Sequence, residues 1–224
     1  TGEKFIRMEM GVPGLAPSRI GTEAEIEALK HGVAQFYPML EGYPVLSEEA
    51  SRFVKNFMDV DIRPEGIIPT VGAMQASYVA FMALTECHKG KDTILFIDPG
   101  FPVQKTQLEV IGKPYQTFDI YEYREEKLEA KLREYLDRGN IAGIVYSNPN
   151  NPSWVCLTDF ELQVIGKLAT EYDTIILEDL AYFAMDFRKD LSHPGKAPFQ
   201  PTVAKYTDNY IFMISSSKLF SYAG

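Results

Sequence analysis

The sequence contains few cysteines and lacks long apolar or basic runs. Cys87 and Cys156 are the only two cysteines in 224 residues, too few for a disulfide framework, which favours a reducing compartment. No segment approaches the roughly 18 apolar residues of a membrane-spanning helix, and residues 1–7 carry charges where a secretory signal is apolar. The net charge is −9 and no run of Lys or Arg exceeds two, so the clustered positive charge that binds nucleic acids or anionic membranes is missing. We expect a cytoplasmic protein that binds neither nucleic acids nor membranes.

The usual signatures of nucleotide, zinc and hydrolase sites are also missing. There is no G-x-G-x-x-G, Walker A, H-E-x-x-H or G-x-S-x-G pattern. His31, His88 and His193 are scattered, and no C-x-x-C pair accompanies them, so we predict no metal site. With 46% hydrophobic and 24% charged residues, the composition is that of a globular protein with a sizeable core.

Short apolar runs alternate with amphipathic segments from about residue 90 onward. Nearly continuous apolar runs, typical of strands covered on both faces, lie at 93–97, 141–146, 174–177 and 210–214. Helical spacing of apolar residues covers 128–136 and 160–172, and Thr158 with Glu161 forms a capping box before the second of these segments. This alternation predicts an α/β fold, a mostly parallel sheet with helices on both faces.

The first 60 residues have a different pattern. Residues 11–17 are rich in Gly and Pro, and helical patterns follow at 23–35 and 47–58. We interpret residues 1–60 as an N-terminal arm with lead-in helices, and residues 61–224 as the main domain.

Polar and aromatic side chains follow the predicted strands. They are Phe101 after the first strand, Asn151 after the second, Asp179 and Tyr182 after the third, and Ser215 and Lys218 after the fourth. Because ligands of parallel sheets bind where the carboxyl ends of the strands meet, we expect these side chains to lie close together. An aromatic ring, an amide, an acid with a phenol, and a lysine beside hydroxyls suit a flat, anionic cofactor that carries a carbonyl group.

Three motifs in these loops resemble those of one enzyme family. They are a Ser-x-Ser-Lys segment at 215–218 with Gly224 six residues after the lysine, Asn-Pro-x-Asn-Pro at 148–152, and Asp-x-x-Tyr at 179–182. In this order they are similar to the motifs of the fold-type I pyridoxal-phosphate aminotransferases of class I and II. The resemblance implies the large domain of that fold, without its C-terminal small domain, and transfer of an amino group between an amino acid and a 2-oxo acid.

The resemblance also implies a role for each strand-end residue. Lys218 would form a Schiff base with pyridoxal 5'-phosphate and carry the substrate proton. Asp179 would hold the pyridine nitrogen protonated, and Tyr182 and Asn151 would bond the phenolic oxygen of the ring. Asn151 would also help to place the substrate carboxylate, and Phe101 would stack on the pyridine ring.

The phosphate of the cofactor is expected at the start of an apolar helix. The resemblance implies that the main-chain N–H groups of Gly72, Ala73 and Met74 bind it, because helix N-termini suit anions. The hydroxyl of Ser215 would add another hydrogen bond. Val71 stands where some relatives supply a hydroxyl, so one contact of the family pattern is missing.

Two further residues are matched by resemblance alone. Tyr37 resembles a tyrosine that reaches the phosphate of a neighbouring subunit, which implies a homodimer with shared sites. Gly11 resembles a glycine whose N–H meets the substrate carboxylate. The family's phosphate arginine comes two residues after the position of Gly224, and a carboxylate arginine comes later still. We therefore expect residues 1–224 to be a piece of a longer protein and to bind cofactor weakly on their own.

The same cofactor motifs accompany other reactions. A β-lyase or a decarboxylase on this scaffold would use the same residues, and a non-catalytic sensor would bind the cofactor and control an attached DNA-binding module. The family usually continues with Thr-Gly where this sequence has Ser153 and Trp154, which leaves the shape of that loop open. Product analysis separates the enzymatic alternatives.

Overall fold

Among residues 4–6, 11 and 14–223, which the computed structural model describes, five parallel strands form one sheet. The strands are β1 (Thr93–Asp98), β2 (Tyr115–Asp119), β3 (Ile141–Ser147), β4 (Ile175–Leu180) and β5 (Tyr210–Ile214). Their order is β2-β1-β3-β4-β5, and each strand runs parallel to its neighbours. The strands predicted from apolar runs are confirmed, and β2 is an additional strand at the edge of the sheet.

Helices lie before β1, between successive strands from β1 to β4, and after β5. They are α1 (Arg19–Lys30), α2 (Pro44–Met58), α3 (Gly72–Cys87), α4 (Pro102–Ile111), α5 (Glu126–Leu136), α6 (Asp159–Glu171) and α7 (Ser216–Leu219). The capping box of α6 is confirmed: Thr158 Oγ1 accepts from the Glu161 N–H at 3.2 Å, and Glu161 Oε2 accepts from the Thr158 N–H at 2.9 Å. These reciprocal bonds satisfy two N–H groups that the helix itself leaves free.

Helices cover both faces of the sheet. Phe96 of β1 lies in an apolar cluster built with α3 and α4, and its neighbour Leu95 lies in a cluster built with α5 and α6. Adjacent residues of a strand point to opposite faces, so both faces of β1 are buried. The predicted α/β fold with a parallel sheet and helices on both faces is confirmed.

The order of the strands gives the carboxyl edge of the sheet a switch point between β1 and β3. After β1 the chain moves outward to β2, then returns to the other side of β1 to form β3, β4 and β5. The connections therefore diverge between β1 and β3, and α/β sheets of this kind bind ligands at that point. Loops that follow β1, β3, β4 and β5 surround this edge.

The N-terminal helices differ in how they contact the sheet. Val54 and Met58 of α2 are buried in a third cluster with Leu180 and Phe183, whereas α1 has no buried residue. The helix expected at 23–35 is shifted in the structure: α1 ends at Lys30, because Gly32 turns the chain with a φ of 80° before a short 3₁₀ turn. In the described part of the chain, every helix is too short or too polar to span a membrane.

Candidate active site

Three neighbouring strands deliver the predicted site residues to one edge. In the sheet register, Asp179 of β4 pairs with Ser147 of β3 on one side and with Met213 of β5 on the other. The loop that carries Asn151 follows Ser147 directly, and Lys218 lies a few residues after Met213. This register agrees with the expectation that Asn151, Asp179 and Lys218 follow the strands to one edge of the sheet.

Asp179 is buried and held by two neutral donors. Asp179 is 6% exposed. The Ala181 N–H donates to Oδ1 at 3.0 Å, and Gln104 Nε2 on α4 donates to Oδ2 at 2.9 Å. Burial raises the pKa of Asp179, and the hydrogen bonds from Ala181 and Gln104 oppose that rise. A buried carboxylate in this setting is suited to a cationic ring nitrogen.

Tyr182 lies three residues after Asp179, in the turn that follows β4, and its hydroxyl lies against Gly11 of the N-terminal segment. A β-carbon added to Gly11 would come within 2.5 Å of Tyr182 Oη, so the glycine backbone lies directly against that hydroxyl. Burial raises the pKa of Tyr182, and the charge of Asp179 raises it further, so the phenol stays a donor at neutral pH. The structure thus brings together Gly11 and Tyr182, which are far apart in the sequence.

The loop after β3 contains three asparagines with different surroundings. Asn148 Oδ1 accepts from the Leu157 N–H at 3.1 Å. Asn150 Nδ2 donates to the carbonyl of Pro99 at 2.7 Å, and Asn150 Oδ1 accepts from the Ser153 hydroxyl at 2.7 Å. The side chain of Asn151 makes no hydrogen bond with the described residues; only its main-chain N–H is bonded, to Ser147 Oγ. Asn151 therefore retains a free amide, as a ligand contact requires.

In this loop Trp154 itself has a backbone conformation that glycine favours. It has a φ of 60°, in the left-handed region that bulky residues seldom adopt. Its ring meets Tyr182 edge-on at 5.6 Å between centroids and stacks on Phe187 at 5.9 Å. These aromatic contacts favour the unusual backbone conformation, so the departure from Thr-Gly does not abolish the turn.

Lys218 lies in α7, the short helix after β5. Ser215 caps this helix: its Oγ accepts from the Ser217 N–H at 3.2 Å and lies 3.0 Å from Ser217 Oγ. Lys218 is half-buried, and its Nζ makes no hydrogen bond or ion pair with the described residues. Gly224, the last residue of the matched loop, lies outside the described residues.

The start of α3 offers main-chain donors. The Val71 N–H is bonded to Gln75 Oε1 at 2.5 Å, and the Gly72 N–H to the Thr70 carbonyl at 2.9 Å. The N–H groups of Ala73 and Met74 have no acceptor among the described residues, as is usual in the first turn of a helix. Of the three predicted phosphate contacts, Ala73 and Met74 have free N–H groups and Gly72 does not.

Phe101 and Tyr37 have contrasting positions. Phe101 is half-buried immediately before α4, at the carboxyl end of β1. Tyr37 is 99% exposed. An exposed tyrosine suits the role expected across a subunit boundary.

Sequence reasoning missed Gln104. Its side chain reaches the carboxylate of Asp179 across the interface between α4 and the sheet, although the two residues are 75 positions apart. Gln104 and Leu108 are both buried and lie one helical turn apart, so a polar residue stands on the apolar face of α4. That pattern was the available signal, because polar residues on a buried face need a partner.

The family model of aminotransferases of class I and II matches residues 3–224 of the chain. An aspartate aminotransferase of Pyrococcus horikoshii is 29% identical over 99% of this chain and 54% of its own length. A glutamate-pyruvate aminotransferase of Escherichia coli is 27% identical over 100% of this chain and 52% of its own. The chain thus belongs to the class I and II aminotransferases, and it spans about half the length of these relatives.

Solved structures share the fold. An alanine aminotransferase from Pyrococcus furiosus superposes with a TM-score of 0.80 at 24% identity, covering 98% of this chain and 54% of the other. An aspartate aminotransferase from Thermotoga maritima gives a TM-score of 0.80 at 21% identity, over 98% of this chain and 56% of the other. At these identities the likeness establishes the architecture of the sheet and its helices.

Proposed function

We propose that the protein is a pyridoxal-phosphate-dependent aminotransferase, which transfers an amino group between an amino acid and a 2-oxo acid. One observation carries the proposal: β3 leads into Asn151, β4 carries Asp179 at its end and β5 leads into Lys218, all at one sheet edge. The side chains of Asn151 and Lys218 have no hydrogen-bond partner in the described part of the chain. Free polar groups beside a buried carboxylate are the arrangement that a polar cofactor would complete.

The residues fit the chemical groups of the cofactor. The buried carboxylate of Asp179 would hold the proton on the ring nitrogen, and the Tyr182 hydroxyl and the Asn151 amide would donate to the ring oxygen. The N–H groups of Ala73 and Met74 would bind the phosphate at the start of α3. Gly72 would contribute the close approach of the backbone, since its φ is 70° and its own N–H is bonded to Thr70.

Pyridoxal phosphate supplies an aldehyde that condenses with amines and a ring that withdraws electrons from the substrate carbon. Lys218 would hold the cofactor through that aldehyde, with loss of water, and its amine, freed when the substrate amine takes its place, would move a proton at the substrate carbon. Phe101 would cover one face of the ring and exclude water from it. Ser215, whose hydroxyl caps α7, would position Lys218 and add a phosphate contact.

A second copy of the chain would complete the site. Tyr37 and Leu40 are 99% and 100% exposed, and Phe36, Met39 and Tyr43 beside them are also largely exposed. An apolar segment of this kind is expected to be covered in a stable assembly. In a symmetric dimer, Tyr37 would reach the phosphate of the partner's site. We place the protein in the cytoplasm, where its two free cysteines would remain reduced.

Reductive labelling tests the proposed function. A protein that includes residues 1–224 is incubated with pyridoxal phosphate, reduced with borohydride, and digested for peptide mapping. The label should be found on Lys218 and disappear in Lys218→Ala. It should persist in Lys89→Ala, which changes an exposed lysine in the loop before β1, at the opposite edge of the parallel sheet. A label on other lysines, equal in both variants, would contradict the proposal.

The products identify the reaction. With an amino acid alone, transamination leaves pyridoxamine phosphate on the protein and releases one equivalent of 2-oxo acid. Elimination would release ammonia with pyruvate, and decarboxylation would release carbon dioxide. Recovery of the latter products without pyridoxamine phosphate would replace the aminotransferase proposal with a lyase or a decarboxylase.

A further inference from the structure

Gln104 joins α4 to the buried end of β4 through one side-chain hydrogen bond. Its Nε2 lies 2.9 Å from Asp179 Oδ2, and the two residues are 5% and 6% exposed. The bond is therefore shielded from water. In such a buried position a hydrogen bond to a charged group is stronger than at the protein surface.

The two oxygens of Asp179 have separate donors. Oδ1 accepts from the Ala181 N–H at 3.0 Å, and Oδ2 accepts from Gln104. Rotation of a carboxylate about its last torsion is otherwise loosely restricted. Two donors on different oxygens fix the plane of the group, and each oxygen keeps a further lone pair for another partner.

Both donors are neutral. Within the described residues, Asp179 forms no salt bridge with a lysine, arginine or histidine. The hydrogen bonds of Ala181 and Gln104 are what oppose the rise in the pKa of Asp179 caused by burial. Gln104 is the one of these donors that a side-chain substitution can remove.

We propose that Gln104 is a positioning residue, which orients the Asp179 carboxylate and keeps it ionised toward the ring nitrogen of the cofactor. This inference rests on the proposed function. The alternative is that Gln104 only braces α4 against the sheet, in which case its loss would lower stability without changing the properties of Asp179.

The titration of Asp179 in the unliganded protein separates these roles. Carboxyl carbons are labelled with ¹³C in aspartate, and the Asp179 signal is assigned with Asp179→Asn. In Gln104→Met, which removes the donor and keeps a side chain of similar length, the pKa of Asp179 should rise further because burial is no longer opposed by this bond. An unchanged midpoint would overturn the proposal.

A matched control uses another buried glutamine. Gln200 is 1% exposed, and its amide bonds the main chain at Asn148, Pro201 and Ala184 without reaching Asp179. Gln200→Met should lower stability and leave the Asp179 titration where it was. If Gln104→Met does not fold, Gln104→Glu preserves the shape and places a second carboxyl group beside Asp179, so the pair should titrate in two coupled steps.

Cofactor affinity completes the test. Dissociation constants for pyridoxal phosphate are measured by equilibrium dialysis for the wild type, Gln104→Met, Asp179→Asn and the double variant. Gln104→Met should weaken binding about tenfold in the wild-type background and add little in Asp179→Asn, because it acts through the carboxylate. If Asp179→Asn has no effect, the proposed function fails. If Asp179→Asn weakens cofactor binding and Gln104→Met does not, the positioning role fails.

Discussion

Asn150 ties the loop after β3 to the loop after β1, because its Nδ2 donates to the Pro99 carbonyl at 2.7 Å. The neighbouring Asn151 makes no side-chain bond with the described residues. Two adjacent residues of the same type therefore differ: the Asn150 side chain holds the two loops together, and the Asn151 side chain is left without a partner among the described residues.

The two asparagines should respond differently to truncation. Asn150→Ala leaves a main-chain carbonyl without its donor and should cost about 1–3 kcal/mol of unfolding free energy. Asn151→Ala should change stability by less than about 0.5 kcal/mol and weaken cofactor binding. Urea unfolding measures the first effect. In the 224-residue chain, quenching of the single tryptophan, Trp154, measures the second. Equal losses of stability in both variants would contradict this division.

Gly11 is expected to be needed for its lack of a side chain. In Gly11→Ala the new β-carbon would lie 2.5 Å from Tyr182 Oη, so the hydroxyl must move. The substitution displaces only the end of the Tyr182 side chain and leaves the backbone in place. The free energy of unfolding should therefore be unchanged. In the proposed site, a misplaced Tyr182 hydroxyl should lower kcat/KM for an amino donor by about tenfold to a hundredfold.

Gly14→Ala is the control for this substitution. A β-carbon on Gly14 meets nothing within 4 Å. Both variants add the same methyl group to the N-terminal segment, but only Gly11→Ala approaches Tyr182. Matching steady-state kinetics for the two variants would show that Gly11 has no role at the site.

A close approach between α6 and the segment before β5 predicts a purely structural effect. A β-carbon on Gly166 would come 2.7 Å from the β-carbon of Tyr206 and 3.2 Å from its carbonyl carbon. Gly166→Ala should therefore destabilise the fold by about 1–3 kcal/mol through overpacking. Gly21→Ala, in the exposed α1 with nothing within 4 Å, should instead stabilise by up to about 1 kcal/mol through helix propensity. Thermal unfolding of both variants checks the opposite signs.

The sequence could predict the elements that follow strong periodicity. β3 is buried at every position, so its apolar run is continuous and indicates a strand. In β2 only Phe118 is buried, and Thr117 and Asp119 are exposed, so an apolar run is lacking. That strand exists because β1 offers it a partner, which local sequence does not report.

The candidate site shows the same limit. Motif order indicated Asn151, Asp179 and Lys218, since their spacing along the chain follows the strand ends. The bond from Gln104 to Asp179 depends on how α4 packs on the sheet, a long-range contact with no fixed spacing. The structural roles of Asn148 and Asn150 were equally hidden, because they depend on acceptors and donors in other loops.

Two fully buried glutamates should give pH effects of opposite sign. Glu161 is ion-paired with Arg124 at 2.5 Å. Burial alone would raise the pKa of Glu161, but Arg124 and the N–H groups of Thr158 and Glu125 lower it. Its folded pKa lies below its unfolded value, so it stabilises the protein at neutral pH, and that contribution is lost as the pH falls through the folded pKa. Glu161→Gln should destabilise the protein at pH 8.

Glu178 lies beside Asp179 on β4 but points to the opposite face of the sheet. The Thr202 hydroxyl donates to its Oε2 at 2.5 Å, and Oε1 has no partner among the described residues. Burial raises the pKa of Glu178 to about 7. The folded protein then holds a proton that the unfolded chain releases near pH 4.5, so the free energy of unfolding should fall as the pH rises from about 4.5 to about 7.

Glu178→Gln should remove this dependence. The amide keeps an oxygen for Thr202 and cannot ionise, so at pH 8 the variant should be more stable than the wild type by up to about 3 kcal/mol. Below pH 4.5, where the wild-type carboxyl is protonated in both states, the two proteins should converge. Urea unfolding at pH 8, at pH 6 and below pH 4.5 measures the difference. A variant that is less stable than the wild type at pH 8 would show that the carboxylate is the favoured form and that Glu178 behaves like Glu161.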